Sequence, residues 1–432
     1  MAKGVESSLK INLSVPYADS EKTFQIDKRH LLYNFTPKSP SRTQGMKEGS
    51  IVREAIQSPI GTEKIIDLVS AGDKVALLVD DWTRPTPAYK VAPIVIDILQ
   101  KSGVRAMDIR IVFARGTHAP LSKEKMIEKL GEAIVESFRC ENHDPKKNLT
   151  YLGESKKGTP VYMNKFFAGA DFKIAIGGIC AHPIAGYGGG AKIIVPGIAG
   201  EETINHNHSM ADSPKVGIGK VEGNPVREDM EDIARMAGLG FIVNVILNPK
   251  REIIEAVAGD LGKAHKQGVA SYERIYGIPV GEEADIVVLG ATPRDATVYH
   301  GTFALPCAVP FAREGGTIIW VAPCLSGPGT KSSRQSFRQV LSISPDELMK
   351  SIKSGAIPAS GGVFDWCTSQ VMHRNKVVLV SDMVSRKEAE EFGFHYGEST
   401  QKALDQEIAA EKDAKVTVIP IGGLAVPIYN RS

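Results

Sequence analysis

His182 and Lys192 stand ten positions apart, with Gly186, Gly188, Gly189 and Gly190 between them, in the stretch KIAIGGICAHPIAGYGGGAKIIVPGIAG from Lys173 to Gly200. Histidine exchanges protons near neutrality, and a lysine desolvated among glycines can be a covalent attachment point or a phosphate contact. The glycines and Pro183 break regular structure, so a loop is expected here, its backbone N–H groups able to approach a ligand closely. Ile193 follows the Gly-Gly-Gly-Ala-Lys run where a Walker loop has Ser or Thr, and no helical pattern opens directly after it as in a dinucleotide fingerprint. Other residues could share the site: Asp80, Asp81 and Arg84 in DDWTRPTP, His118 in RGTH, and His206 and His208 in NHNH. Two histidines on neighbouring strand ends can act as bases on opposite faces of one carbon, one taking a proton and the other returning it. Arg84 can hold a carboxylate bidentately. His206 or His208 can ligate a metal; two positions apart they diverge on a strand and match poorly on a helix, so one of them is expected to face the site.

The elements that must position these groups follow one design. The apolar runs in Asp73–Asp81, Asp108–Ala114 and Lys173–Ile179 read as buried strands, each ending on polar residues. Helical patterns cover Tyr89–Gln100 and Ser122 to about Phe138, and Asn224-Pro225 opens another that runs to about Met236. Strands alternating with helices imply parallel sheets, with ligands outside the strands' carboxyl ends. Gly240–Leu247 reads as a further strand, Gly262–Tyr276 as a polar helix, and Gly277-Ile278-Pro279 as a hinge. A second strand series follows at Ala284–Gly290, Thr317–Val321, Val377–Ser381 and Lys415–Pro420. Ser344-Pro345-Asp346-Glu347 is a helix start with a capping box, and Arg386–Lys412 a pair of solvated helix faces. The expected fold is α/β, with two α/β domains of largely parallel sheets and the site in the cleft between them. An N-terminal domain over 1–278 would carry the cofactor and catalytic histidines, and a C-terminal domain over 279–432 would close over the site.

The 432 residues exceed one ordinary core, which agrees with two domains. A formal net charge of +2 provides no strong field for nucleic acid or an anionic membrane, so a small-molecule partner is expected. No apolar run approaches the roughly 20 residues that span a bilayer, and the N-terminus shows no secretory signal. Five cysteines without CxxC spacing point away from a disulfide scaffold and towards a reducing compartment, hence the cytoplasm.

Taken together, DDWTRPTP at Asp80–Pro87, RGTH at Arg115–His118, AHPIAGYGGGAKIIVPGIAG at Ala181–Gly200 and NHNH at Asn205–His208 resemble the lactate racemase family, over most of the chain. The resemblance implies a nickel pincer nucleotide, a pyridinium-3,5-bisthiocarboxylic acid mononucleotide whose carbon and two sulfurs hold nickel. It also implies 2-hydroxyacid racemisation or epimerisation, in which hydride passes from the substrate carbinol to the cofactor and back. By that resemblance His118 and His182 are the catalytic bases and Lys192 is the lysine linked to the cofactor. His208, sixteen positions after that lysine, is the nickel ligand. Asp81, Thr83, Gly189, Gly190, Tyr299 and Trp366 contact the cofactor; Arg84, His300 and Phe303 contact the substrate. Cofactor-biosynthesis proteins are implied as partners.

One departure bears on substrate. Where the lactate enzyme has a Tyr-Gln pair followed three residues on by a lysine, this chain has Tyr299, His300 and Phe303 in VYHGTF. A phenyl ring removes a carboxylate partner and adds apolar surface, which points to a 2-hydroxyacid bulkier or more apolar than lactate. Two other readings remain: a metal-dependent hydrolase with His118, His182 and His208 as ligands, and a non-catalytic nucleotide-binding sensor built on the glycine loop and Lys192.

Overall fold

Val75–Asp80, Phe172–Gly178 and Phe241–Leu247 are almost continuously apolar and buried along their lengths, as strands covered on both faces must be. The computed structural model describes residues 9–40, 43–329, 337–338 and 341–429. The described residues fall into two units. One comprises Lys38–Ile275 with Ile357–Ser360; the other comprises those of Met1–Pro37, Tyr276–Ala356 and Gly361–Ser432.

In the first unit six strands form a sheet in the order Ile253–Gly259, Phe241–Leu247, Phe172–Gly178, Val75–Asp80, Ile109–Ala114, Arg139–Asn142. All neighbours are parallel except the first pair. The three strands expected to deliver polar ends are therefore adjacent. The chain runs outward from Val75–Asp80 to one edge and then returns to its other side with Phe172–Gly178. The gap between these two strands is a topological switch point, where such sheets open a crevice. Helix Ala88–Lys101 covers the sheet with Val91, Val95 and Leu99, each wholly buried and contributing about 1.5–3 kcal/mol.

The second unit has a six-stranded, all-parallel sheet in the order His395–Tyr396, Lys376–Val380, Ala312–Val321, Ala284–Gly290, Val416–Ile419, Leu31–Asn34. Pro345–Lys353 starts with the expected Ser344–Glu347 capping box. The segment 386–412 forms two helices, Arg386–Glu391 and Thr400–Ala410.

Several expectations change. The N-terminal domain does not begin at residue 1. Strands Lys10–Tyr17 and Ser20–Asp27 form a hairpin whose Val15, Tyr17, Phe24 and Ile26 bury against Ile286, Val288 and Val418 of the second unit, and Leu31–Asn34 joins that unit's sheet. The division at 278/279 falls at Ile275/Tyr276, and Gly277–Pro279 is no loose hinge but a strand paired with Val426–Ile428. The helix expected from Ser122 to about Phe138 is two helices, Lys123–Leu130 and Glu132–Ser137, parted by Gly131 at φ 86°. The glycine stretch is not all loop. Ala181–His182 pairs with Gly186–Tyr187, and Gly190–Ile193 is one turn of 3-10 helix. No helix among the described residues is long and apolar enough to cross a membrane.

Candidate active site

The Asp80–Pro87 turn leaves the central strand with two carboxylates that do different work. Asp80 accepts from Thr86 Oγ1 at 2.5 Å and pairs with Lys129 Nζ at 2.6 Å, and the same ammonium donates to Arg84 O at 2.9 Å. Asp80 and Lys129 thus brace the turn from below. Asp81 faces His118: its Oδ2 lies 2.5 Å from His118 Nδ1, and its Oδ1 accepts from Thr83 Oγ1 at 2.6 Å and Thr83 N at 3.0 Å. Arg84 Nη1 donates to Thr83 Oγ1 at 3.2 Å. Sequence, which assigned Asp81 and Thr83 to a cofactor, did not foresee that they would hold the imidazole.

Burial opposes charge on Asp81, but the His118 hydrogen bond and charge, with Arg84 and Thr83 behind them, prevail and lower its pKa to about 2. The folded value lies below the unfolded one of about 3.9, so the stabilisation is full at neutral pH and is lost as pH falls through about 2. Asp81→Asn is expected to cost roughly 2 kcal/mol at pH 7 and little at pH 2. Urea unfolding of both proteins across that range checks it.

The RGTH turn seats His118 against the glycine segment. Gly116 N donates to Gly197 O at 2.9 Å, and a Cβ on Gly116 would come within 3.2 Å of Pro196. Arg115 donates to His143 O and to His118 O, and His143 Nε2 donates to Ala199 O at 2.9 Å. Asp81 accepts a hydrogen bond from Nδ1–H of His118, whose side chain is 44% exposed, and so leaves the ring's lone pair on Nε2. His182 is buried, and its Nδ1 accepts from Ala185 N at 3.1 Å and Ile184 N at 3.4 Å. Its neutral ring therefore carries the proton on Nε2. The two imidazoles are held in opposite tautomers.

Lys192, buried on the 3-10 turn, rides on a clamped backbone. Arg227 Nη1 donates to Tyr187 O at 3.2 Å and Gly189 O at 3.4 Å, while His265 Nε2 donates to Gly188 O at 2.9 Å. Arg227 Nη2 donates to His265 Nδ1 at 2.9 Å, and Asn244 Oδ1 accepts from Gly190 N at 2.8 Å. A Cβ on Gly190 would meet Arg227 Nη2 at 2.7 Å, and one on Gly189 would meet Asn244 Oδ1 at 2.8 Å. Glycine is required there because the clamp occupies the side-chain space. His208 lies on Glu201–His208; burial, with the nearby Lys192 charge, pushes its pKa down to about 3, so the ring is neutral and competent as a metal ligand. His206, by contrast, bonds Thr159 Oγ1 at 2.8 Å.

The second unit holds the remaining candidates. Phe303 packs on Tyr299 and Phe364, with ring centroids 5.8 Å and 5.0 Å apart, and Tyr299 contacts His300 at 6.1 Å. Trp366 is buried on the same helix as Phe364. The Arg294 guanidinium lies 5.7 Å over the Phe303 ring, a cation beside the aromatic set. Burial pushes the Asp365 carboxyl up to about 7. Sequence reading passed over Lys129, Arg227, His265, Arg294 and Asp365. A signal existed only for Asn244, a polar residue inside the apolar run FIVNVIL.

These parts fit a nickel pincer nucleotide. His208 would offer a neutral imidazole to its metal, and the clamped loop brings the buried Lys192 amine beside that imidazole. Among the described residues no three His, Cys, Asp or Glu side chains are grouped to hold an ion.

Residues 17–219 match the lactate racemase N-terminal domain family and residues 280–428 the lactate racemase C-terminal domain family. The lactate racemase of Lactiplantibacillus plantarum is 30% identical over 423 residues, covering 95% of this chain and 98% of that protein. That of Thermoanaerobacterium thermosaccharolyticum is 29% identical over 422 residues, with the same coverage. The solved structure of the latter's apoprotein superposes with a TM-score of 0.87 at 28% identity, covering 97% of this chain and 100% of that one. A Thermotoga maritima protein of solved structure shares the fold, with a TM-score of 0.67 at 18% identity over 92% of this chain and 100% of its own. The chain belongs to the lactate racemase family, and is an isomerase of the racemase type.

Proposed function

We propose that the protein inverts the C2 carbinol of a 2-hydroxyacid, using a nickel pincer nucleotide and two histidine acid/bases. The observation that carries this reading is the opposite setting of the two imidazoles, Nε2 of His118 bearing a lone pair and Nε2 of His182 a proton. Inversion needs one group to take the hydroxyl proton, for which His118 Nε2 is set, and a second to face the oxygen as donor, for which His182 Nε2–H is set; releasing that proton requires His182 to be first protonated to the imidazolium. Asp81 holds His118 in its accepting form and stabilises the imidazolium that results. Arg84, supported by the Lys129 contact to its carbonyl, holds the substrate carboxylate. When bound, the cofactor would supply the reversible hydride-accepting chemistry. It would be held by the Lys192 amine and by His208 at its nickel, on a backbone that the clamp filling the side-chain space of Gly189 and Gly190 keeps in place, and Tyr299 and Trp366 would supply apolar contact. Proteins that make the cofactor are required partners.

The half-buried aromatic set Tyr299, Phe303 and Phe364 favours a substrate with a bulkier or more apolar side chain than lactate, and His300 offers a polar contact at its edge. The test is racemisation by cofactor-loaded enzyme across 2-hydroxyacids of increasing side-chain size. Relative kcat/KM is expected to rise from lactate to aryl or branched substrates by about 10-fold or more, and Phe303→Lys to shift preference back. A marked preference for lactate by the unaltered enzyme would overturn this assignment.

A hydrolase with His118, His182 and His208 as ligands finds less support, since His118 Nδ1 is committed to Asp81 and no three-residue ligand group is formed among the described residues. A sensor leaves the Asp81–His118 pair without a purpose.

A further inference from the structure

Asp229, on helix Pro225–Met236, is wholly buried, and three side chains converge on it. Ser155 Oγ donates to its Oδ1; Thr159 Oγ1 at 2.8 Å and Asn207 Nδ2 at 2.9 Å donate to its Oδ2. A carboxylate only accepts, so each partner is committed as a donor. Asn207 Nδ2 also donates to Val226 O at 3.0 Å, which uses both amide protons. Asn207 therefore turns its oxygen towards His208, whose Nδ1 lies 3.1 Å from it. Two acceptors do not bond, so Nδ1 carries the ring proton and Nε2 the lone pair. Thr159 acts likewise on the neighbouring ring. Its proton goes to Asp229, so at 2.8 Å its oxygen accepts from His206 Nδ1–H. One buried carboxylate, through two neutral relays, sets both rings of the NHNH motif.

We propose that Asp229 and Asn207 are positioning residues that hold His208 in its Nδ1–H tautomer and so assign Nε2 as the atom that meets nickel. The nickel part rests on the pincer reading above; the tautomer does not. An orienting partner of this kind typically carries 10- to 100-fold in metal affinity, roughly.

The test begins with full-length apoprotein, where nitrogen-15 correlation spectra of the histidine rings report which nitrogen is protonated; His208→Gln identifies the His208 signals. A neutral ring protonated at Nδ1 is expected, with proton density moving to Nε2 in Asn207→Leu. Cofactor-loaded Asn207→Leu is then expected to lose nickel on dialysis about 10- to 100-fold faster than the unaltered enzyme. A ring protonated at Nε2 in the unaltered apoprotein overturns the proposal without any variant having to fold. An Nδ1–H ring that persists in Asn207→Leu overturns the role of Asn207. If the tautomer behaves as expected but His208→Gln retains nickel normally, the orienting relay stands and the ligand reading fails.

Discussion

Lys192→Ala is expected to reduce racemisation to background and to abolish the mass increment that intact protein carries when expressed with the cofactor-making enzymes. The structure gives two reasons. The amine is buried beside a neutral imidazole, where desolvation favours its uncharged, nucleophilic form, provided its backbone holds it in place. That backbone is fixed, because three consecutive carbonyls of the preceding run are held by Arg227 and His265 and the Gly190 amide by Asn244. Lys192→Arg separates linkage from charge: it keeps a cation but has no amine to acylate, and should be as inactive as the alanine variant. Intact mass and nickel content, with racemisation of the preferred substrate, make the measurement. Turnover surviving in Lys192→Ala would remove the covalent role.

His118→Asn is expected to lower kcat for both enantiomers by roughly 100- to 10,000-fold, the worth of a positioned acid/base group, while the mass increment and nickel content stay at the levels of the unaltered enzyme. Asparagine can still donate to Asp81, so the turn and its buried carboxylate remain satisfied, and the loss reports proton transfer rather than collapse. Both directions must suffer, because a group that accepts the hydroxyl proton of one enantiomer returns it to form that enantiomer in the reverse reaction. An effect confined to KM would make His118 a binding residue only.

Much of the site's inventory was legible in the sequence, because it is carried by strand ends. Apolar runs such as VALLVD can only be strands buried on both faces, and a parallel sheet places the residues after its strands at one edge. DDWTRPTP, RGTH and the glycine stretch were thereby assigned to a common edge before their order in the sheet was known, and the strands that deliver them are neighbours. What held those residues was not legible. Asp80 and Asp81 are identical in type and adjacent in sequence, yet one braces the turn through Lys129 and the other orients His118, a distinction made by residues 49 and 37 positions away. Nor was it legible along the chain that Phe303 has a cation beside it, since the Arg294 guanidinium reaches its ring only in the folded protein.

The sequence by itself determined the strand-and-helix alternation, the family, the three strand-end motifs and the chemical types at the site, since these follow from local periodicity and from residue identity. Tertiary structure alone decided that the N-terminal hairpin belongs with the C-terminal sheet, because Val15, Tyr17, Phe24 and Ile26 can be buried only against an apolar face supplied hundreds of residues later. It decided ring tautomers as well. Which nitrogen of His118 or His208 carries the proton depends on the donor or acceptor that faces it, for His118 a side chain brought in by a different strand and for His208 an amide held from another helix, whereas His182 is set locally by the Ile184 and Ala185 amides of its own turn.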